Sequence, residues 1–196
     1  MNFLLIFALI NGLILTEPPT LNKFREFSFE LEGNYYKEDT SRWGSLLSLY
    51  FGLPFSSEFS FDISYEKEWD FVLYYKKGFE NPLFNSALKV GIDKSKNLLL
   101  ISSLGKDFNI INLYGCGGFI YEKEENNFSF LYGIALEKSL SHFTPATEFY
   151  SEGKDKMITF GTSYSLPIFD VYAGIRRNFN NRSFIFNFGI SKLFSL

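Results

Sequence analysis

The chain contains little cysteine and histidine and no excess of basic residues, and each scarcity excludes a class of site. One cysteine, Cys116, among 196 residues leaves no internal disulfide and no cysteine-based zinc site. A single histidine, His142, does not hold a metal by itself. Lys and Arg number 19 against 22 Asp and Glu, which does not indicate a nucleic-acid partner. The sequence therefore predicts no metal, no cofactor and no nucleic-acid partner.

A long apolar run is also missing beyond the N-terminus. Residues 3–15 are almost wholly apolar, but a transmembrane helix needs about 20 residues. The run has the length of a signal-peptide core, and no cysteine near residue 16 offers a lipid anchor. We expect residues 1–16 to be an export signal and 17–196 to form one domain. The alternatives are a buried strand or an N-terminal anchor helix.

Aromatic residues are abundant and alternate with polar ones. They make up 20% of the chain, with 25 Phe and 12 Tyr. In residues 57–66 every odd position from Phe59 to Tyr65 is apolar and every even one is polar, which is the period of a β-strand. No convincing amphipathic helix follows residue 20. The pattern predicts twelve strands, over 26–36, 43–53, 57–66, 69–77, 86–93, 97–104, 108–121, 128–137, 143–151, 157–165, 168–176 and 183–194.

Two of these segments are weak. The apolar run Leu98–Ile101 has no assignable faces, and the segment over 143–151 contains Pro145. Without them, ten strands remain. About 15 residues are available for each of twelve strands, and a membrane span uses about 9–11. The connections must therefore be short, with no room for a plug domain.

The connections of the predicted sheet differ in chemistry at its two ends. The odd-numbered connections, such as Lys37–Arg42 and Glu122–Asn127, are all charged. The even-numbered ones, such as Leu53–Ser56, are richer in Leu, Phe and Pro. A barrel that crosses a membrane has two such unlike rims. The sequence thus predicts an all-β, antiparallel up-and-down transmembrane barrel with both chain ends in the periplasm.

The orientation of the two faces separates this barrel from a soluble, lipocalin-like one. Large rings crowd the apolar face, and a narrow lumen would not hold them all, whereas lipid would. We expect Phe59, Phe61, Ile63 and Tyr65 to touch lipid. The polar face would then line the lumen, and its candidate residues are Glu58, Asp62, Asp70, Lys76, Lys89, Glu137, Glu148, Asp170 and Arg176.

Two stretches resemble known families. Phe188–Phe194 resembles the terminal strand signal of bacterial outer-membrane barrels, although Ser195 and Leu196 follow its final aromatic. About 70 C-terminal residues resemble the phenol-degradation MetA-pathway outer-membrane family, often labelled transporters. The motifs that carry this resemblance are Gly133–Glu137, Pro145–Tyr150, Phe160–Tyr164, Asp170–Gly174 and Gly189–Ser191. The resemblance implies a bacterial outer-membrane barrel with a channel-like role.

Passive transport of small solutes is the leading functional hypothesis, with the lipid bilayer and a small solute as partners. Carboxylates in a narrow lumen are expected to pair with Lys or Arg, because burial of an unpaired charge is costly. Glu148 is the best single candidate for an internal role. A closed structural or adhesive barrel is the alternative. A lipid-modifying enzyme using His142 with Ser139 or Ser141 is the third hypothesis, and no catalytic residue is assigned.

Overall fold

The structure, a computed structural model, describes residues 21–37, 41–81, 83–108, 111–138 and 140–195. The export signal predicted over residues 1–16 lies outside this part of the chain. No helix among the described residues is long and apolar enough to cross a membrane. The strands are β1 Glu26–Lys37, β2 Arg42–Leu53, β3 Ser57–Tyr65, β4 Trp69–Glu80, β5 Asn85–Asp93, β6 Leu98–Asp107, β7 Ile111–Glu122, β8 Asn127–Lys138, β9 Phe143–Glu152, β10 Asp155–Ser165, β11 Asp170–Asn178 and β12 Phe184–Ser195.

The twelve strands form one closed barrel in which every strand pairs antiparallel with its neighbours in sequence. The last strand closes the barrel by pairing with the first, from Glu26 opposite Ser195 to Lys37 opposite Phe184. Both weak segments are strands, so the twelve-strand prediction is confirmed and the ten-strand alternative is wrong. Pro145 is accommodated on β9, where it lies opposite Thr162 of β10.

The two faces of each strand differ in exposure as the alternation predicts. On β3, Glu58, Ser60 and Asp62 are between 2% and 4% exposed, whereas Tyr65 is 42% exposed. On β6, where the sequence left the faces unassigned, Leu99 and Ile101 point inward and Leu98 is exposed. The barrel therefore presents its apolar rings outward and most of its polar side chains inward.

The barrel has two rims, which we name by their composition. The charged rim carries the connections between β1 and β2, β3 and β4, and the four corresponding later pairs. The terminal rim carries the other five connections and the ends of β1 and β12. At the charged rim, ring pairs join the two strands of a hairpin, as in Tyr35–Trp43 at 4.9 Å and Tyr65–Trp69 at 5.0 Å between centroids. Amphipathic rings of this kind sit at the edge of a membrane.

Charge is segregated between the two faces of the strands. Following the strand register around the barrel, the outward positions of the described strands hold no Asp or Glu. The charges found there are all basic and lie at or close to strand ends. Such positions let a long side chain reach the headgroup region, as expected of a lipid-facing surface. These residues are Lys37, Lys77, Lys106, Lys138, Lys156, Arg177 and Lys192.

Candidate lumen site

The inward face of the barrel is strongly acidic. Among the described strand residues, four basic ones share this face: Arg42, Lys76, Lys89 and Arg176. An excess of one charge on a low-dielectric concave wall concentrates the field inside it. The acidic residues, taken from the register of the described strands, are Glu26, Glu30, Glu32, Glu58, Asp62, Asp70, Asp93, Asp107, Glu122, Glu137, Glu148, Glu152, Asp155 and Asp170.

One sector of the inner wall is apolar, contrary to the expectation of a polar lining throughout. It is built from inward side chains of β4 and β6–β10, and we call it the apolar sector. Tyr74, Ile120, Tyr150 and Met157 are its most buried members, at 1% exposed or less. Cys116 packs against it as a small side chain. Its members are Val72, Tyr74, Leu99, Ile101, Ile120, Leu131, Tyr150 and Met157.

Glu148 and Arg176 are connected through a hydroxyl. The side chain of Thr159 lies between them on β10, opposite Glu148 of β9 and Arg176 of β11. Thr159 Oγ1 donates to Glu148 Oε2 at 3.3 Å, and Arg176 Nε donates to Thr159 Oγ1 at 3.4 Å. All three residues are at most 4% exposed. Thr159 thus links a buried carboxylate to a buried guanidinium, and the opposite charges offset part of the cost of burying each group.

Glu58, Lys76 and Lys89 form a second row across β3, β4 and β5. All three are buried. Lys89 Nζ lies 3.9 Å from the centre of the Tyr74 ring, a cation–π contact that joins this row to the apolar sector. The row brings two of the four inward basic residues side by side.

The first described residues cross the inner wall at the terminal rim. The backbone N–H of Asn22 donates to Glu58 Oε2 at 2.8 Å, and Asn22 Nδ2 donates to Ser28 Oγ at 2.7 Å. Gly52 makes this path available, because a Cβ there would lie 1.8 Å from the carbonyl oxygen of Lys23. Beside this segment is a recess of about 360 Å³ between β2 and β5. The chain thus enters β1 from the lumen side.

The remaining candidate residues lie nearer the rims and are half-buried. Asp70 is at the charged rim, where its Oδ1 accepts a hydrogen bond from the backbone N–H of Phe71 at 2.8 Å. Glu137 is near the terminal rim and accepts from the Tyr114 hydroxyl at 3.1 Å. Asp170 begins β11 at the same rim, opposite Ser165 and Ser191. The nine candidates are therefore spread over the height of the barrel.

Glu30 and Glu32 belong to the same wall and are among its most buried residues, at 1% and 3% exposed. The Tyr172 hydroxyl donates to Glu32 Oε2 at 3.3 Å, reaching from β11 past β12 to β1. Gly189 of β12 leaves the space for that ring, since a Cβ there would lie 2.2 Å from the Tyr172 oxygen and 2.5 Å from the Leu31 carbonyl. The alternation of the sequence predicted that both glutamates point inward. The strand register of the structure adds that Tyr172 of β11 reaches them.

Gly189→Ala is expected to destabilise the barrel by about 1–3 kcal/mol, because backbone and ring must both move and the Tyr172–Glu32 bond is lost. Gly115→Ala is the matched control, since its Cβ would meet only the Gly133 carbonyl at 3.8 Å, an ordinary contact. Urea unfolding in lipid vesicles measures both variants. Equal midpoints for the two would refute the packing role of Gly189.

His142 lies in the connection between β8 and β9 at the terminal rim and is exposed. Its ring is 6.3 Å from that of Tyr164, and Ser141 adopts a left-handed backbone with φ of 55°. Ser139 lies outside the described residues. Within the described part of the chain, no hydrogen bond joins the His142 ring to Ser141, and no cluster of His, Cys, Asp and Glu is arranged to hold a metal.

Comparison with known proteins was made for sequence and for structure. No family model and no curated protein sequence matches the chain. The KdgM porin matches it with a TM-score of 0.68 and 10% identity, covering 83% of this chain and 97% of that one. The NanC porin matches with a TM-score of 0.69 and 12% identity, over 83% and 98%. The chain shares the barrel fold of these two porins. The outer membrane protein Omp33 of Acinetobacter baumannii matches with a TM-score of 0.54 and 11% identity, over 88% and 100%.

The closed barrel and its likeness in fold to these structures confirm the predicted up-and-down barrel of twelve antiparallel strands. At 10–12% identity the likeness concerns the fold. The narrower resemblance to the MetA-pathway family has no family match to support it and stays a prediction.

Proposed function

We propose that the chain is a passive channel for small solutes in the bacterial outer membrane, with both chain ends on the periplasmic side. The apolar outer belt, with rings at its edge and basic residues at the strand ends, suits a lipid environment. The polar inner wall suits a water-filled path. In this proposal residues 1–16 are the export signal that directs the chain to the outer membrane.

The acidic inner wall is the observation that carries this proposal. Fixed charges along a pore select the ions that pass it. One structural neighbour is described as the KdgM porin in complex with disordered oligogalacturonate, a chain of uronic acids. The inner wall of the present chain has many more acidic than basic residues and would repel such a polyanion. We therefore assign it cationic or neutral solutes, with Glu58, Asp62, Glu148 and the other six candidates along the path.

Planar-bilayer recording of the refolded protein tests the channel. We expect stepwise conductance in KCl that is lost after heat denaturation. The control is the same detergent fraction from cells that lack the gene. Silent bilayers, with protein that shows heat-modifiable migration on a gel and is therefore folded, would overturn the proposal.

A closed structural barrel is the second candidate, and the apolar sector favours it. Six strands contribute side chains to that sector, and its members are all 8% exposed or less. A liposome-swelling assay separates the two candidates, because a closed barrel admits no sugar or salt. We propose no enzymatic role, since the exposed His142 ring makes only a ring contact with Tyr164 among the described residues. His142→Ala leaves conductance unchanged on this account.

A further inference from the structure

The outward basic residues at the charged rim are gathered on one side of the barrel. They are Lys156 near the start of β10, Arg177 near the end of β11 and Lys37 at the end of β1. These strands and β12 follow one another around the barrel. On β2–β9 the outward strand residues nearest this rim are uncharged: Trp43, Tyr65, Trp69, Ile92, Leu98, Tyr121, Phe128 and Ser151. Positive charge on the outer face of this rim is therefore confined to neighbouring strands.

Arg177 is held by two aromatic rings. Phe184 of β12 lies opposite Arg177 on one side and Lys37 on the other. The guanidinium carbon of Arg177 is 5.5 Å from the centre of the Phe184 ring and 5.6 Å from that of Phe179. Cation–π contacts of this kind position a guanidinium without neutralising its charge. Arg177 thus keeps its positive charge at a fixed place on the outer face.

The two connections beside Arg177 add basic residues and no acidic ones. Lys154 lies between β9 and β10, Arg182 lies between β11 and β12, and both are exposed. Asn180 Nδ2 donates to the carbonyl oxygen of Lys154, and the backbone N–H of Phe179 donates to that of Lys156 at 2.9 Å. These bonds join the connections into one surface. We call Lys154, Lys156, Arg177 and Arg182 the basic patch.

The acidic residues of β9 and β10 at this rim face the lumen. Asp155 Oδ1 accepts a hydrogen bond from Asn178 Nδ2 at 3.1 Å, and Glu152 Oε2 accepts one from the Tyr150 hydroxyl at 3.1 Å. Within the described residues, no carboxylate forms an ion pair with a residue of the patch. Glu38 and Asp39, which follow Lys37, lie outside the described residues, so Lys37 is not counted in the patch.

Exposed apolar side chains adjoin the patch on its membrane side. Phe186 and Phe188 continue the outward face of β12 beyond Phe184 and are 40% and 51% exposed. Ile175 of β11 lies opposite Phe186. A soluble anion would use the cations alone. Cations at the rim above an apolar face instead match a molecule with an anionic head and hydrocarbon tails.

We propose that the basic patch binds the phosphate group of an anionic membrane lipid, whose acyl chains lie along β11, β12 and β1. Guanidinium groups bind phosphate through paired hydrogen bonds, and lysines add charge attraction. Each basic residue near a membrane surface contributes about 1 kcal/mol of attraction to anionic lipids. This inference rests on the proposed membrane orientation of the outer face and is independent of conduction. In that orientation the patch lies in the leaflet opposite the periplasm.

Trp43 and Trp69 report the lipid composition at two places along this rim. The Trp43 ring on β2 is 6.3 Å from the ring of Phe188, beside the proposed lipid, whereas Trp69 lies two strands further on β4. Each is recorded alone, in Trp69→Phe or Trp43→Phe, in phosphatidylcholine vesicles that contain brominated phosphatidic acid. We expect a relative binding constant for this lipid about three- to tenfold higher at Trp43 than at Trp69. Brominated phosphatidylcholine should quench both alike.

Lys156→Gln/Arg177→Gln should lower the constant at Trp43 to the value at Trp69. The matched control, Lys106→Gln/Lys138→Gln, removes two outward charges at the terminal rim and should leave it unchanged. Arg177→Lys keeps the charge and should retain most of the preference, which separates charge from ring packing. Heat-modifiable migration verifies folding, and the single variant Arg177→Gln, expected to lower the constant partly, serves if the double variant does not fold.

Two failures of this experiment are distinguishable. Equal constants for phosphatidic acid at Trp43 and Trp69 in the patch-intact protein, or a folded Gln variant that behaves like the patch-intact protein, would overturn the lipid site. Absence of quenching by brominated phosphatidylcholine at both tryptophans would instead reject the proposed membrane orientation, and the lipid site with it.

Discussion

Ile134→Arg is expected to destabilise the barrel in lipid by about 2–4 kcal/mol, because it places a charge among acyl chains near the bilayer midplane. Ile134 lies on the outward face of β8, four residues from the end of the strand, and is 52% exposed. Its neighbours on that face, Tyr132 and Leu136, are equally apolar or aromatic. If the outer face met water instead, the same change would be harmless.

Ile111→Arg is the matched control for this prediction. Ile111 is also an outward isoleucine and is 44% exposed, but it begins β7 at the terminal rim, opposite Lys138. A charge at the interface costs only about 0–1 kcal/mol. Urea unfolding of both variants in lipid vesicles measures the difference. Similar losses at the two depths would contradict a membrane-spanning outer face.

Leu131→Ala is expected to cost about 2–5 kcal/mol, because it opens a cavity in the apolar sector. Leu131 is 2% exposed and belongs to the cluster formed with Ile120, Tyr150 and Met157. The surrounding side chains come from separate strands held by the barrel ladder, so they are unable to collapse fully into the space. The change should also widen the lumen and raise any single-channel conductance.

Leu136→Ala on the outward face of the same strand provides the comparison. It removes the same atoms, but lipid chains fill the space and no cavity is left. The expected loss is therefore only the free energy of burying the removed methyl groups, about 1–2 kcal/mol. Leu136 is 45% exposed. Unfolding in vesicles measures both substitutions. A larger loss for Leu136 than for Leu131 would show that the apolar sector contributes little to stability.

Alternation was enough to predict the strands, and the unlike rims together with the large rings on one face predicted which face points outward. Every predicted strand is present, and its bounds differ from the prediction by three residues or fewer. The period of two is clear in this sequence because the lipid-facing side favours apolar residues and the inner side mostly polar ones. It left the faces of Leu98–Ile101 unassigned, and the structure shows Leu98 exposed on the outer face while Leu99 and Ile101 belong to the apolar sector.

The apolar sector itself was not predictable from the sequence. Each of its strands contributes only one or two inward apolar residues, such as Ile120 from β7 and Met157 from β10. These positions are far apart in sequence and meet only when the barrel closes. The placement of Glu30, Ser48 and Asp62 side by side was hidden for the same reason, because these residues become neighbours only through the register of three strands.

The two native tryptophans offer the most direct measurement of the central claim, that the ring-bearing face contacts lipid and the acidic face lines the interior. Trp43 and Trp69 are outward at the charged rim and are 62% and 64% exposed. Their fluorescence is recorded in vesicles made with lipids brominated at different depths along the chain. We predict strong quenching by bromine near the headgroups and weaker quenching by bromine near the bilayer centre. Fluorescence that no brominated lipid quenches, but that aqueous iodide does, would contradict this orientation.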